Sequence, residues 1–348
     1  MNLEIHFRHI YGKINTWLRA FRGFYDKSLD RDSVDFVTRL LYSARSIILV
    51  ISFQAAVIAG IFAYVSGFFN LIDFLLILLA FVLLHAESNL LNDYFGFKYG
   101  HDTADSPRRS YTLHPIADGI VTRKELFVTV CIISAILILI AFHFLVIRGI
   151  WALLLIALGI LFLLFYDITS VSLKMIGLGE ISSFIVWGPL MIGGGYFAIT
   201  GHINDTVLLG SLPYGLGVMS VLMGKHLDQR SFDANRGIGT LPVRIGESPS
   251  RVALLSMLAL MYLITGISIV TGLFPLTLLT VFLNYRGLAA AFKVIDRPRP
   301  DAPPPGYVGW PLWYHRQALL HNRRFGWLYI LGLLLYLLLH VAGLHLFV

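Results

Sequence analysis

The chain has 348 residues, of which 57% are hydrophobic, 14% aromatic and only 14% charged. A soluble domain carries about 25% charged residues, so this composition excludes an ordinary water-soluble globule. The formal net charge of +7 requires no nucleic acid partner; in so apolar a chain it fits membrane topology and an anionic lipid or substrate.

The predicted class is an all-α polytopic membrane protein, with 1–45 a cytoplasmic or interfacial segment and 46–348 a single transmembrane domain. The opening "MNLEIHFRHIYGKINTWLRAFRGFYDK" has no apolar core of a signal peptide. Trp17, Phe21 and Phe24, spaced helically among Arg19, Arg22 and Lys27, suit an amphipathic helix lying in the membrane interface.

A spanning helix needs roughly 20 apolar residues. Apolar runs near 47–67, 71–95, 125–147, 149–166, 180–200, 205–226, 251–271, 273–292 and 325–347 predict about nine spans. Short connections such as "VIRGI" (146–150) and "TGLFP" (271–275) make tight hairpins, while 96–124, 167–179, 227–250 and 293–324 are the longer loops. Of the 27 Lys and Arg, only Arg148 falls in a connection on the side away from the N-terminus. The positive-inside rule therefore places the N-terminus and the long loops in the cytoplasm and the C-terminus outside the cell membrane. Cys131, the one cysteine, excludes an intramolecular disulfide. "RPRPDAPPPG" (297–306) reads as an extended connection.

The second predicted span ends in "NLLNDYFGFKYGHDTADSPRR" (89–109). Counted from His85 at ~100° per residue, Asn89, Asn92 and Gly96 fall within about 40° of one line, with Asp93 about 80° from its start and Ser88 at its edge. Glu87 projects to the opposite face, where it can pair with a neighbouring helix. Polar residues inside a membrane are expensive and usually face a cavity or a partner helix. A second patch, "MGKHLDQRSFDANRGIGTLPVRIGE" (223–247), combines Asp228, Asp233 and Asn235 with Lys225, Arg230, Arg236 and Arg244. For this patch alone, a solvated basic loop is the plain alternative. Two such patches of oxygen ligands flanked by cations suit a phosphorylated ligand held through magnesium, which takes few carboxylates and completes its shell with phosphate and water.

These two stretches resemble the aspartate-rich motifs of the UbiA superfamily of intramembrane prenyltransferases, and the nine-span layout is similar too. "FYDITSVSLKMIGLGEISSFIVWGPLMIGGGYF" (165–197) resembles the menaquinone-type branch, which prenylates dihydroxynaphthoate. The resemblance implies helices around a central cavity, Mg2+ as cofactor, a prenyl diphosphate donor and a small, aromatic quinone-precursor acceptor. It implies Asp93, Asp102 and Asp233 as catalytic residues, and Asn92, Asp93, Asp102, Asp228 and Asp233 as metal ligands. Asn89, Asn92, Lys174, Lys225, Asp228 and Arg236 are expected to hold the diphosphate, with Tyr166 as an aromatic wall for the allyl cation; an interface anchor is the plainer reading of that tyrosine.

The chain departs from the family pattern at two points. The family places an Asp four residues after the Asn of the first motif, where this chain has Gly96. Its second motif commonly pairs two Asp four residues apart, whereas Asp228 and Asp233 are five apart and Gln229 takes the four-residue offset. On an unbroken helix those two carboxylates diverge by about 140°. Three readings stay open: a rearranged ligand set in an unwound loop, another substrate or a membrane terpene cyclase, and lost chemistry. A transporter or lipid-binding scaffold is the competing class, although the polar clusters fall at helix ends and no repeat is visible. "GPLMIGGG" (188–195) is read as close helix packing. "GWPLWYHRQALLHNRRFGWLY" (309–329) is read as an interfacial lid or an aromatic belt.

Overall fold

A computed structural model describes residues 2–21, 31–100, 107–167 and 172–343; side chains at 2–11, 107 and 167 lie outside the described set. The described residues are helical, with no strand among them. An amphipathic α1 (Asn2–Phe21) precedes a short α2 (Phe36–Ser43), whose N-cap Asp35 accepts from Thr38 N and, through its carboxylate, from the Trp17 indole at 2.9 Å. Phe24, Arg22 and Lys27, expected on the same amphipathic face, lie outside the described residues.

Among the described residues, eight helices are long and apolar enough to cross a membrane: α3 (Ser46–Val65), α4 (Leu71–Lys98), α5 (Arg123–Arg148), α7 (Gly179–Thr200), α8 (Asp205–Asp228), α11 (Glu247–Val270), α12 (Leu276–Ile295) and α13 (Tyr314–Val341). The remaining apolar helix, α6 (Ile150–Asp167), has an apolar stretch from Ile150 to Tyr166 and falls short of the ~20 residues of a full span. Two short helices, α9 (Arg230–Asn235) and α10 (Leu241–Ile245), join α8 to α11.

Local chemistry sets the helix ends. Thr122 and Glu125 form a reciprocal capping box at the start of α5, with bonds of 2.8 and 3.1 Å. Asn204 caps α8 by accepting from Thr206 and Val207 N. Pro189 has no N–H to donate, and α7 widens to a π-helix over Val186–Gly193 around it. α12 begins as a 3-10 helix over Leu276–Asn284. α13 starts at Tyr314, eleven residues before the expected span, so most of the expected lid, from Tyr314 on, forms the first turns of this helix.

The chain divides into two compact units. One comprises residues 1–50 and 82–139, the other 51–81 and 140–348. The first is built on a core of Leu90, Leu113, Ile120, Leu126 and Ile133. Glu87 in this unit accepts a hydrogen bond from Ser134 Oγ, the helix-to-helix pairing its position predicts. In the second, α8 packs against α7, α11 and α13. A Cβ on Gly215 would lie 2.9 Å from the Phe184 carbonyl oxygen and 3.0 Å from the Gly188 Cα, so small residues let α7 and α8 meet backbone to backbone.

Candidate active site

In the first unit the motif residues are occupied by one another. Asp93 is fully buried and accepts from two arginines. Arg108 forks across its carboxylate, with Nη2 2.8 Å from Oδ2. Arg45 Nη2 donates to Asp93 Oδ1 and to Asn92 Oδ1, the latter at 3.1 Å. Asn89 uses its amide Nδ2 to hold the Ala44 carbonyl at 3.0 Å. That bond fastens the bend between α2 and α3, where Arg45 adopts φ 54°, the one positive φ among the described non-glycine residues.

These contacts change the expectations for the motif. Asn89 is a backbone clamp in this arrangement. Asp93 has its carboxylate taken by guanidinium groups, a poor state for a metal ligand because a dication would sit against two fixed cations. α4 continues through Gly96 to Lys98, so the glycine does not unwind the helix. Asp102 lies outside the described residues.

In the second unit the helix does break where the five-residue spacing requires it, at Gln229 between α8 and α9. The two carboxylates take different partners on either side of it. Asp228 Oδ1 and Oδ2 accept from the backbone N–H groups of Tyr314 and His315, at 3.0 and 2.9 Å. It thereby satisfies orphan amides at the start of α13.

Asp233 is the remaining motif carboxylate among the described residues. It is buried, with Thr240 Oγ1 donating at 3.4 Å. Burial pushes its carboxyl above the usual carboxylate range, while His226, Lys174 and Lys225 pull it back. Gly179 marks where this neighbourhood converges: a Cβ there would lie 3.3 Å from Lys174 Cα and 3.6 Å from both the His226 and Tyr166 rings. Arg236 is exposed, with its guanidinium over the Phe232 ring at 4.5 Å.

The sequence reading passed over a buried pair in the same neighbourhood. His226 Nδ1 and Glu180 Oε1 are 2.8 Å apart and both side chains are buried. An ionisable residue inside a predicted span was the available signal. It also passed over Arg45 and Arg108, which in sequence look like topology charges flanking a span.

Among the described residues no three His, Cys, Asp or Glu side chains converge as a metal centre. Among the described motif residues, Asp233 fits the sparse carboxylate demand of magnesium, which leaves most of its shell to phosphate and water. Asp93, the described carboxylate of the first motif, is taken by Arg45 and Arg108 instead.

The sequence pattern of the UbiA prenyltransferase family matches residues 54–313. The chain belongs to the UbiA prenyltransferase family. Among curated UbiA relatives, 1,4-dihydroxy-2-naphthoate octaprenyltransferase of Haemophilus influenzae is 34% identical over 217 residues, covering 59% of this chain and 68% of that protein. Among solved structures, an apo UbiA homologue from Aeropyrum pernix K1 superposes with a TM-score of 0.58 at 18% identity, covering 82% of this chain and 98% of that one. A UbiA homologue from Archaeoglobus fulgidus bound to GPP and Mg2+ gives 0.54 at 13% identity, covering 84% and 99%. At these identities the two structures establish the UbiA fold.

Proposed function

We propose that the chain transfers an isoprenyl group from a prenyl diphosphate to an aromatic acceptor of the dihydroxynaphthoate class, within the membrane. The observation that carries this reading is the gathering of Lys174 and Lys225 around buried Asp233, beside Tyr166. The naphthoate octaprenyltransferase relative supports the acceptor class, and the GPP- and Mg2+-bound homologue supports a diphosphate donor.

The chemistry follows from the residue types. As the allylic carbon–oxygen bond breaks, negative charge grows on the leaving diphosphate. Lys174 and Lys225, already fixed by the fold, stabilise that charge without reorganisation. A magnesium ion held by Asp233 would add charge neutralisation on the phosphate oxygens. The Tyr166 ring offers a face to the allylic cation, and the apolar helices keep water from capturing it. The acceptor carbon then bonds to the cation, and the acceptor loses the proton or carboxyl group it replaces.

The test is product analysis of purified protein given one long allylic diphosphate and a panel of acceptors comprising dihydroxynaphthoate, hydroxybenzoate, homogentisate and a lipid alcohol. Prenylated dihydroxynaphthoate is the expected product. Pyrophosphate release with a cyclised hydrocarbon and no acceptor adduct would replace this reading with a terpene cyclase, and no pyrophosphate release would overturn it.

A further inference from the structure

We propose that the second compact unit carries a phospholipid site at the far end of α7 from Lys174, in which Arg148 holds the phosphate of a lipid from that leaflet. None of the residues assigned to prenyl transfer takes part in it.

A cavity of about 540 Å3 opens where four helix ends meet: the turn after α3, the start of α4, the end of α5 and the end of α7. Its wall includes Phe68, Phe69, Asp73, His143, Ile147 and Arg148, all of them in the second unit. α7 carries 22 residues from Gly179, beside Lys174, to Thr200 at this cavity, a rise of roughly 33 Å. That rise matches the ~30 Å hydrocarbon layer, so the cavity lies at headgroup depth in the leaflet opposite Lys174.

Arg148 supplies the chemistry. A guanidinium has five N–H donors. Nε donates to the Ala198 carbonyl, and Nη2 commits its two hydrogens to the Ile199 carbonyl and the Asp73 carboxylate. Capping α7 and pairing with Asp73 therefore account for three donors, and both hydrogens of Nη1 are left without an acceptor in the protein. Nη1 lies over Gly201, where a Cβ would come within 3.2 Å of it, and the Arg148 side chain is 20% exposed. Phosphate oxygens are strong acceptors for such a group, because the bond is charge-assisted at both ends. Asp73 is already occupied: its two oxygens meet His143 Nε2 at 2.8 Å and Arg148 Nη2 at 3.2 Å, and its side chain is 8% exposed.

The apolar rim selects a lipid over a free phosphate. Asp73 offsets the charge of Arg148, so the site has no large excess of positive charge with which to draw a small anion out of water. Binding then needs apolar contact beside the hydrogen bonds. Phe68 and Ile147 line the cavity and are exposed, and Leu71 and Ile72 at the start of α4 are exposed next to them. The Phe68 ring is held against the His202 ring at 4.4 Å. Side chains of this kind at headgroup depth meet the glycerol backbone and first methylenes of a lipid.

Native mass spectrometry of the full-length protein released from nonionic detergent micelles, titrated with dioctanoylphosphatidylglycerol, counts retained lipids and gives a Kd for each. Wild-type protein is expected to hold one lipid at least ten-fold more tightly than the rest. Ile147→Glu places a carboxylate on the cavity wall next to Arg148 while keeping the bonds of Arg148 to α7 and Asp73. It should weaken the first lipid about ten-fold or more, the scale of one lost charge-assisted contact. Arg148→Gln should do the same; because it also uncaps α7, Ile147→Glu decides the matter if Arg148→Gln does not fold. Glycerophosphoglycerol, the same phosphodiester without acyl chains, should bind at least ten-fold more weakly than the lipid. Equal binding of the two would overturn the lipid assignment and leave a free phosphate-ester site. Wild-type protein that holds no lipid above the others, or a first lipid indifferent to Ile147→Glu or to folded Arg148→Gln, overturns the site itself.

Discussion

Lys174 and Asp228 illustrate how different two polar residues near a shared motif can be. Lys174 is close enough to pull the Asp233 carboxyl down and is proposed to contact the diphosphate, so Lys174→Ala should weaken prenyl-diphosphate binding by about 1.5–3 kcal/mol, the range for a hydrogen bond to a charged group. Acceptor affinity should change far less; equal losses for both ligands would return Lys174 to a general structural role. Asp228 instead caps α13. Asp228→Ala is expected to lower stability by about 0.5–2 kcal/mol, read as thermal unfolding in detergent, while leaving the Mg2+ concentration dependence of turnover where it was. A changed Mg2+ dependence would restore it as a ligand. At this scale the motif residues were legible as a polar group, but their partners were not. Sequence spacing placed Asp93 on a polar seam, whereas Arg45 and Arg108 reach it from 48 and 15 residues away. Long-range pairing of that kind leaves no periodic trace.

Helix ends and crossings carry the next layer. Gly224 lies one turn before Asp228 on α8, and a Cβ there would fall 2.8 Å from His315 N and 2.9 Å from His315 Cα and Tyr314 C. All three are backbone atoms at the start of α13, so they cannot yield by a rotamer change. Gly224→Ala should therefore destabilise the protein by about 1–3 kcal/mol, the range for overpacking, and should loosen the Asp228 cap with it. Unfolding at the wild-type temperature would show that α8 and α13 are less tightly joined than described. Arg148, read from the sequence as a lone cation on the wrong side, has a local reason to be there. Its Nε and Nη2 donate to the last carbonyls of α7, Ala198 and Ile199, at 2.8 and 2.6 Å, and Nη2 pairs with Asp73 at 3.2 Å. The helices were legible because apolar runs of spanning length are a strong signal. The early start of α13 was not, since "YHRQALLHNRR" (314–324) is polar by composition, and its His321 and Asn322 become buried only by packing.

For the molecule as a whole, the distribution of basic residues predicts orientation. Tags inserted at 96–124, 227–250 and 293–324 should all report the cytoplasm and a C-terminal tag the opposite side, because Arg148 is the sole Lys or Arg in a connection on that side. A tag at 227–250 reporting the outside would defeat that topology. The all-helical membrane class and the family were legible from composition and from two motifs. The division of the chain into two compact units was not, because it depends on which helices share a core. The central claim is that this assembly ionises an allylic diphosphate for transfer to an aromatic ring. The most direct measurement is pyrophosphate release by purified wild-type protein from a long-chain allylic diphosphate, with dihydroxynaphthoate present and absent. The account predicts release that rises with the acceptor and matches the prenylated product mole for mole; no release under either condition would contradict it.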